Sequence, residues 1–159
     1  MKIIDFTIKI PRYKNFTEIT ILGDIHKGNK YFDKEEFSLY YDGSEGHKGF
    51  KDDPNMYVIT TGDLMETALK DSPGVQDQSE WIEDQFIWVR EKLKPITQEG
   101  RLIAVIEGNH EHRATRNWIR TTRLLAHDLD VPYCAGYLLL NIHLIKNEKI
   151  REYKIALHH

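Results

Sequence analysis

The sequence predicts an α/β fold, or its α+β variant, from three observations. Compact apolar runs of β-branched character alternate with stretches whose apolar residues recur at helical spacing. Three of those runs, "TEITILGD", "MYVITTGD" and "RLIAVIEGN", stop at or next to a glycine that precedes Asp or Asn. The last two, "GYLLLNIHLI" and "KIREYKIALHH", are joined by the polar turn "KNEK", which predicts an antiparallel pair.

Along the chain, "KIIDFTIKI" alternates well enough for a strand with one wet face, and Pro11 ends it. "TEITILGD" is a second strand that stops at Gly23. Residues 27–55 turn polar and Gly-rich and read as an insertion loop, with a short helix at 33–41 before "DGSEGHKG". "MYVITTGD" is the third strand. After the loop "LKDSPGVQDQ", Ser79 is expected to cap a helix whose first turns hold Glu80, Glu83 and Asp84. Ile82, Phe86, Val89 and Leu93 share one face of it, and Pro95 is expected to end it. Trp81, Ile87 and Trp88 lie off that stripe and predict a second neighbour for the helix. "RLIAVIEGN" is the next strand, and 115–130 reads as one helix with Trp118, Thr122, Leu125 and Leu129 inward. Pro132 breaks the chain before the final pair of strands.

At 159 residues the chain is expected to form one domain, 1–159, large enough to bury about 70% of its unfolded surface. A hydrophobic share of 40% and a charged share of 30% exclude a disordered chain. A net charge of −3 gives no global pull toward nucleic acid. Cys134 is the only cysteine, which excludes an internal disulfide and a thiolate cluster and fits a reducing compartment, so the expected location is cytoplasmic. The first twenty residues carry no uninterrupted apolar core, and no segment approaches the roughly 18 apolar residues of a membrane span, so neither a signal peptide nor a membrane partner is expected.

Polar residues gather where the strands end. Asp24 and His26 follow one, Asp63 a second, Asn109 and His110 a third, and His158 and His159 a fourth. Parallel strands bring their carboxyl ends together, so residues far apart in sequence are expected to converge. Aspartate, histidine and an asparagine carbonyl are oxygen and nitrogen donors without thiolate, and suit Mn, Fe, Zn or Mg rather than a structural zinc site. Asp24 and His26 alternate by two, so an extended segment would point both to one side. Asp63 has two oxygens with which to bridge two ions, and such a pair clamps a phosphoryl group and acidifies a water. Each fragment alone is weak, since Gly-Asp after a strand is commonly just a turn. "GNHE" is stronger because His-Glu after the turn serves no packing need.

In this order, "GDIH", "GDLME", "GNHE" and "LHH" resemble the calcineurin-like metallophosphoesterases, and the "GNHEHR" form is most similar to compact phage and prokaryotic members. The resemblance implies a four-layer αββα sandwich with a dinuclear centre at the strand ends. It implies two divalent ions, Mn²⁺ first, with Fe, Zn, Mg or Ni as alternatives. Carried onto this chain, Asp24 and His26 would hold the first ion, Asp63 would bridge, and Asn109 with His159, favoured over His158, would hold the second. His110 matches the non-ligand histidine that protonates the leaving group or steadies the phosphate, and Glu111 is expected to orient its other ring nitrogen. The family's last motif, Gly-x-His, is not seen after "LHH", so the chain is expected to be C-terminally incomplete. The implied activity is hydrolysis of phosphoesters, with a phosphodiesterase or nuclease favoured over a phosphomonoesterase and a non-catalytic interaction module on the same fold as the alternative.

Arg113 is expected to touch substrate or to pair with Glu66 or Glu111. Arg116, Arg120, Arg123 and His127 recur at spacings of four, three and four, which makes either a solvated helix face or a stripe for a nucleic-acid or nucleotide substrate. His112 reads as an outer or surface group, His47 and His143 as structural or exposed, and Tyr40 and Tyr41 as candidates for a lid.

Overall fold

In the computed structural model, which describes residues 1–117 and 119–159, two sheets face each other. The inner sheet is parallel throughout, in the order β2 (Glu18–Gly23), β5 (Met56–Gly62), β6 (Leu102–Ile106), β7 (Tyr133–Cys134). The outer sheet runs β1 (Lys2–Lys9), β8 (Leu138–Lys146), β9 (Lys149–Leu157), with β1 parallel and β9 antiparallel to β8. The alternation that predicts these strands is physical: Ile4 and Ile8 of β1 and Leu138, Leu140 and Ile142 of β8 turn inward against Ile59, Ile103 and Ile106.

The other face of the inner sheet carries the helices α1 (Lys34–Tyr41), α2 (Ile82–Gln98) and α4 (Thr121–Asp128), whose Tyr41, Val89, Leu93, Leu125 and Ala126 pack with Val58 and Val105. A short α3 (Asn109–Arg116) leaves the end of β6 directly. Helix, sheet and sheet are thus three of the layers of an αββα sandwich, and the outer face of the β1-β8-β9 sheet carries no helix among the described residues. None of the described helices is long and apolar enough to cross a membrane. The polar segment 27–55 contains α1, capped by the Asp33 carboxylate on the Glu36 N–H, and a small hairpin of β3 (Gly43–Ser44) and β4 (His47–Lys48).

Several sequence expectations are corrected. The Ser79 side chain does not cap α2: its hydroxyl donates to the Gly28 carbonyl, and Trp81 stands at the N-cap. Pro95 lies inside α2, where the one helical bond it forfeits is to the carbonyl of Glu91, an exposed residue. Trp81 and Ile87 are exposed rather than packed on a second neighbour, whereas Trp88 packs edge-on to Phe32. The expected 115–130 helix is two helices. The Asn117 and Ile119 N–H groups both close onto the Ala114 carbonyl, α3 ends, and a fresh helix starts at Thr121. Thr122, Leu125 and Leu129 are buried as expected, while Trp118 lies outside the described residues. The break also separates Arg116 from Arg120, Arg123 and His127, so no single helix carries the four in a row.

Candidate metal centre

The carboxyl ends of β2, β5 and β6 and the end of β9 meet at one edge, where the sequence puts its Asp, Asn and His residues. The chain after β2 runs beside the chain after β5: the Asp24 N–H donates to the Gly62 carbonyl, His26 to Asp63, and Lys27 to Leu64. Asp24 and His26 are not on an extended segment, as their spacing suggested. Both adopt left-handed backbone, φ 54° and 51°, and Asp63 does the same at 49°. These are conformations that non-glycine residues take reluctantly, and their clustering here marks a turn shaped by its surroundings. Gly62 and Gly108 permit the crossing, since a Cβ on Gly62 would stand 2.5 Å from the Gly108 Cα.

Asp63 is the centre of the arrangement and is nearly fully buried. Its Oδ1 accepts the His110 N–H at 2.8 Å, from the first turn of α3. Its Oδ2 lies 3.8 Å from His26 Nε2, 3.8 Å from His110 Nε2 and 3.2 Å from His159 Nε2. Two groups of donor atoms come within 4.8 Å of one another, His26–Asp63–His110 and Asp24–Asp63–His159, and Asp63 belongs to both. Asp24 Oδ1 also stands 3.9 Å from His26 Nε2, and Asn109 Oδ1 2.7 Å from His159 Nε2. Ligands held ~2.1 Å from one ion lie roughly 3–4 Å from each other, so the separations around Asp63 Oδ2 fit divalent ions as the donor chemistry does, whereas Asn109 and His159 are at hydrogen-bonding distance. His110 stands at ligand distance here and not apart from the donors, its ring 4.4 Å from that of His26 and edge-on to it. His158 is turned away and stacks on Tyr137 at 3.9 Å.

Two buried glutamates organise this edge, and their roles differ from the sequence reading. Glu111 does not orient His110. Successive helical residues point about 100° apart, so Glu111 turns under the sheet edge, where its carboxylate accepts the N–H groups of Asp63 (3.0 Å), Met65 (3.0 Å) and Gly108 (3.1 Å). Burial pushes its carboxyl up to about 7; the Met65 N–H opposes the rise and the Asp63 charge adds to it. The partner of His110 is Glu66, whose Oε1 is 3.3 Å and backbone carbonyl 3.1 Å from His110 Nδ1. Glu66 Oε2 is also 3.2 Å from His26 Nδ1 and accepts Asn29 Nδ2 at 3.0 Å. One carboxylate thereby holds both imidazoles with their Nε2 atoms toward Asp63, as carboxylates behind metal-bound histidines do. Sequence reasoning missed this role of Glu66; its signal was the third place after Asp63 in "GDLME".

Arg113 pairs with neither Glu66 nor Glu111. Its Nη1 donates to the Pro73 carbonyl at 3.2 Å, and its Nε and Nη2 are shielded without a protein partner. His112 lies outside both donor groups, 3.7 Å from the Glu107 carboxylate, which also accepts the hydroxyls of Thr115 and Tyr133. His143 bridges Asp5 and Glu152 on the outer sheet, and His47 is exposed. Tyr40 borders a cleft beside the donors, whereas Tyr41 is buried and donates its hydroxyl to the Lys92 carbonyl.

No curated protein and no solved structure matches this chain. The model of one family does, over residues 17–158, a span that includes every strand end described above, and the chain belongs to the calcineurin-like phosphoesterases.

Proposed function

We propose that the chain hydrolyses phosphodiesters with the help of two divalent ions, Mn²⁺ foremost. The observation that supports this reading best is the sharing of Asp63 between two donor groups. Asp24, His26, Asp63, Asn109 and His159 would hold the ions, which when bound supply a Lewis acid for the phosphoryl oxygens and lower the pKa of a water.

The protein's own residues supply the remainder. Glu66 fixes the tautomer and aim of His26 and His110 through their Nδ1 atoms. His110 Nε2 then faces the site, and as the imidazolium, with its Nδ1–H on Glu66, the ring would give its Nε2 proton to the departing oxygen. Asp63 is kept in place at both ends, by Glu111 on its N–H and by the His110 N–H on its Oδ1. Arg113, three residues after His110, would steady a substrate oxygen once its side chain leaves the Pro73 carbonyl. The diester is preferred over the monoester on charge. Beyond the residues that would hold the ions or aim the imidazoles, the cleft beside His110 is lined by Asp33 and Glu36 and, among the described residues, by no lysine or arginine to favour a second phosphate charge.

The test is turnover of a chromogenic diester by metal-stripped protein before and after Mn²⁺. Activity is expected only with the metal, and equal activity in a chelator would end the reading. His110→Ala is expected to keep metal content near normal while lowering turnover about 10²–10⁴-fold. Loss of the metal in that variant would make His110 a ligand. A metal-loaded chain that turns over no phosphoester would favour a non-catalytic module on this fold.

A further inference from the structure

Beside His26 and His110 opens a cleft of about 600 Å³, within the range of small-molecule sites. Asn109 and His159 do not line it, so it opens on the side of the centre where His26 and His110 stand. Its apolar floor includes Phe37, and Tyr31 and Tyr40 at its border are 76% and 66% exposed. Large aromatic rings left that open have given up burial, and their place around a cavity offers flat faces to a flat ligand. Asp33, the N-cap of α1, and Glu36, in its first turn, also line the cleft. Glu36 has no ion-pair partner among the described residues, and Asp33 spends one oxygen on the Glu36 N–H. The nearby cation Lys30 is paired to Asp77 at 2.5 Å and lies over the Tyr31 ring. Free carboxylate oxygens beside aromatic rings suit a planar group that donates hydrogen bonds, and repel a chain of further phosphates.

We infer that this cleft is a leaving-group subsite for a nucleoside whose base carries an exocyclic amine, so that the substrate is a small nucleotide diester and not a polynucleotide. The inference rests on the reading of the metal centre as a phosphodiesterase and adds the substrate class. The base stacks against Tyr40, its amine donates to Glu36, and the sugar oxygen reaches toward His110. The acidic wall excludes the neighbouring phosphates of a polymer, and the divided set of Arg116, Arg120 and Arg123 gives no continuous track in exchange.

The experiment is calorimetric titration of the full chain with adenosine, cytidine, uridine and a single-stranded oligonucleotide, run beside the chromogenic diester assay. Adenosine and cytidine are expected to bind at least about ten-fold more tightly than uridine, which has no exocyclic amine, and both Glu36→Ala, which removes the acceptor, and Tyr40→Ala are expected to remove that margin. Circular dichroism of each variant confirms that it folds. Equal affinity for uridine and adenosine, a margin untouched by both substitutions, or tighter binding of the oligonucleotide per site would overturn the inference. Hydrolysis of the diester without nucleoside binding defeats the subsite alone. Selective nucleoside binding with no hydrolysis defeats the phosphodiesterase reading and leaves the subsite standing.

Discussion

The same backbone conformation occurs at two places in this molecule for different reasons. In the hairpin between β8 and β9, Asn147 and Glu148 are left-handed, φ 49° and 64°, and the two-residue turn between paired Lys146 and Lys149 demands that hand. At the metal centre Asp24, His26 and Asp63 have almost the same φ, yet no two-residue turn requires it. There the conformation is imposed from outside, by the Gly62 and Asp63 carbonyls and by Glu111 and His110 gripping Asp63. A left-handed residue costs about 1–2 kcal/mol over its ordinary conformation. The hairpin spends that on reversing the chain, whereas the centre spends it on aiming donor atoms at shared points.

The largest effect is expected where aim and charge reside in one residue. Asp63→Asn keeps a side chain tolerant of left-handed backbone and an oxygen for the His110 N–H, but removes the negative charge between the two donor groups. The fold should survive while metal binding and turnover fall by more than the roughly 10–100-fold that loss of an outer partner causes. Metal analysis after gel filtration reads this directly; a variant that retains two ions would show that Asp63 aims the site without binding in it.

Next is the clamp. With its carboxyl pushed up to about 7 from 4.5, Glu111 holds a proton in the folded metal-free chain that the unfolded chain has lost. Its contribution is therefore complete below about pH 4.5 and lost as the pH rises through 7, a change of roughly 3 kcal/mol. Denaturant melts of metal-free protein between pH 4.5 and 7 should show stability falling as pH rises. In Glu111→Gln that slope should flatten, and an unchanged slope would assign it to other groups.

These two residues also show why the sequence was only partly legible. The donor set was readable because each member follows an apolar run through a local signal, as in "GD" or "GNH". The glutamates were not, because their partners are set by backbone paths. Glu66 reaches both imidazoles only after the chain turns at left-handed Asp63, and Thr67 turns it again at φ 44°. The resemblance pairs Glu111 with His110, but a helix that begins at Asn109 rather than at 115 rotates Glu111 inward. The break after Arg116 had a weak sign in Asn117, a residue that often closes a helix, within a stripe regular enough to hide it.

A smaller effect separates stability from function at Asp24, whose side chain is 72% exposed. Asp24→Gly relieves the left-handed strain and the repulsion from Asp63, so the metal-free chain should gain about 0.5–1 kcal/mol while its Mn²⁺ affinity drops. Stability and metal affinity that fall together would mean that Asp24 supports the turn rather than straining it.

The smallest change tests the other side of the comparison. At Glu148, at the opposite end of β9 from His159, the left-handed conformation serves only the turn, and glycine is the residue such turns favour in second place after Asn. Glu148→Gly removes about 1–2 kcal/mol of steric penalty and adds about 0.5–1 kcal/mol of unfolded-chain entropy. The expected balance is a gain of about 0.5–1 kcal/mol, visible as a higher denaturant midpoint at constant slope, with metal content unchanged. If the same replacement leaves the hairpin no more stable, Glu148 is held by contacts as Asp63 is, and the distinction between a turn that wants its hand and a site that imposes it would not hold.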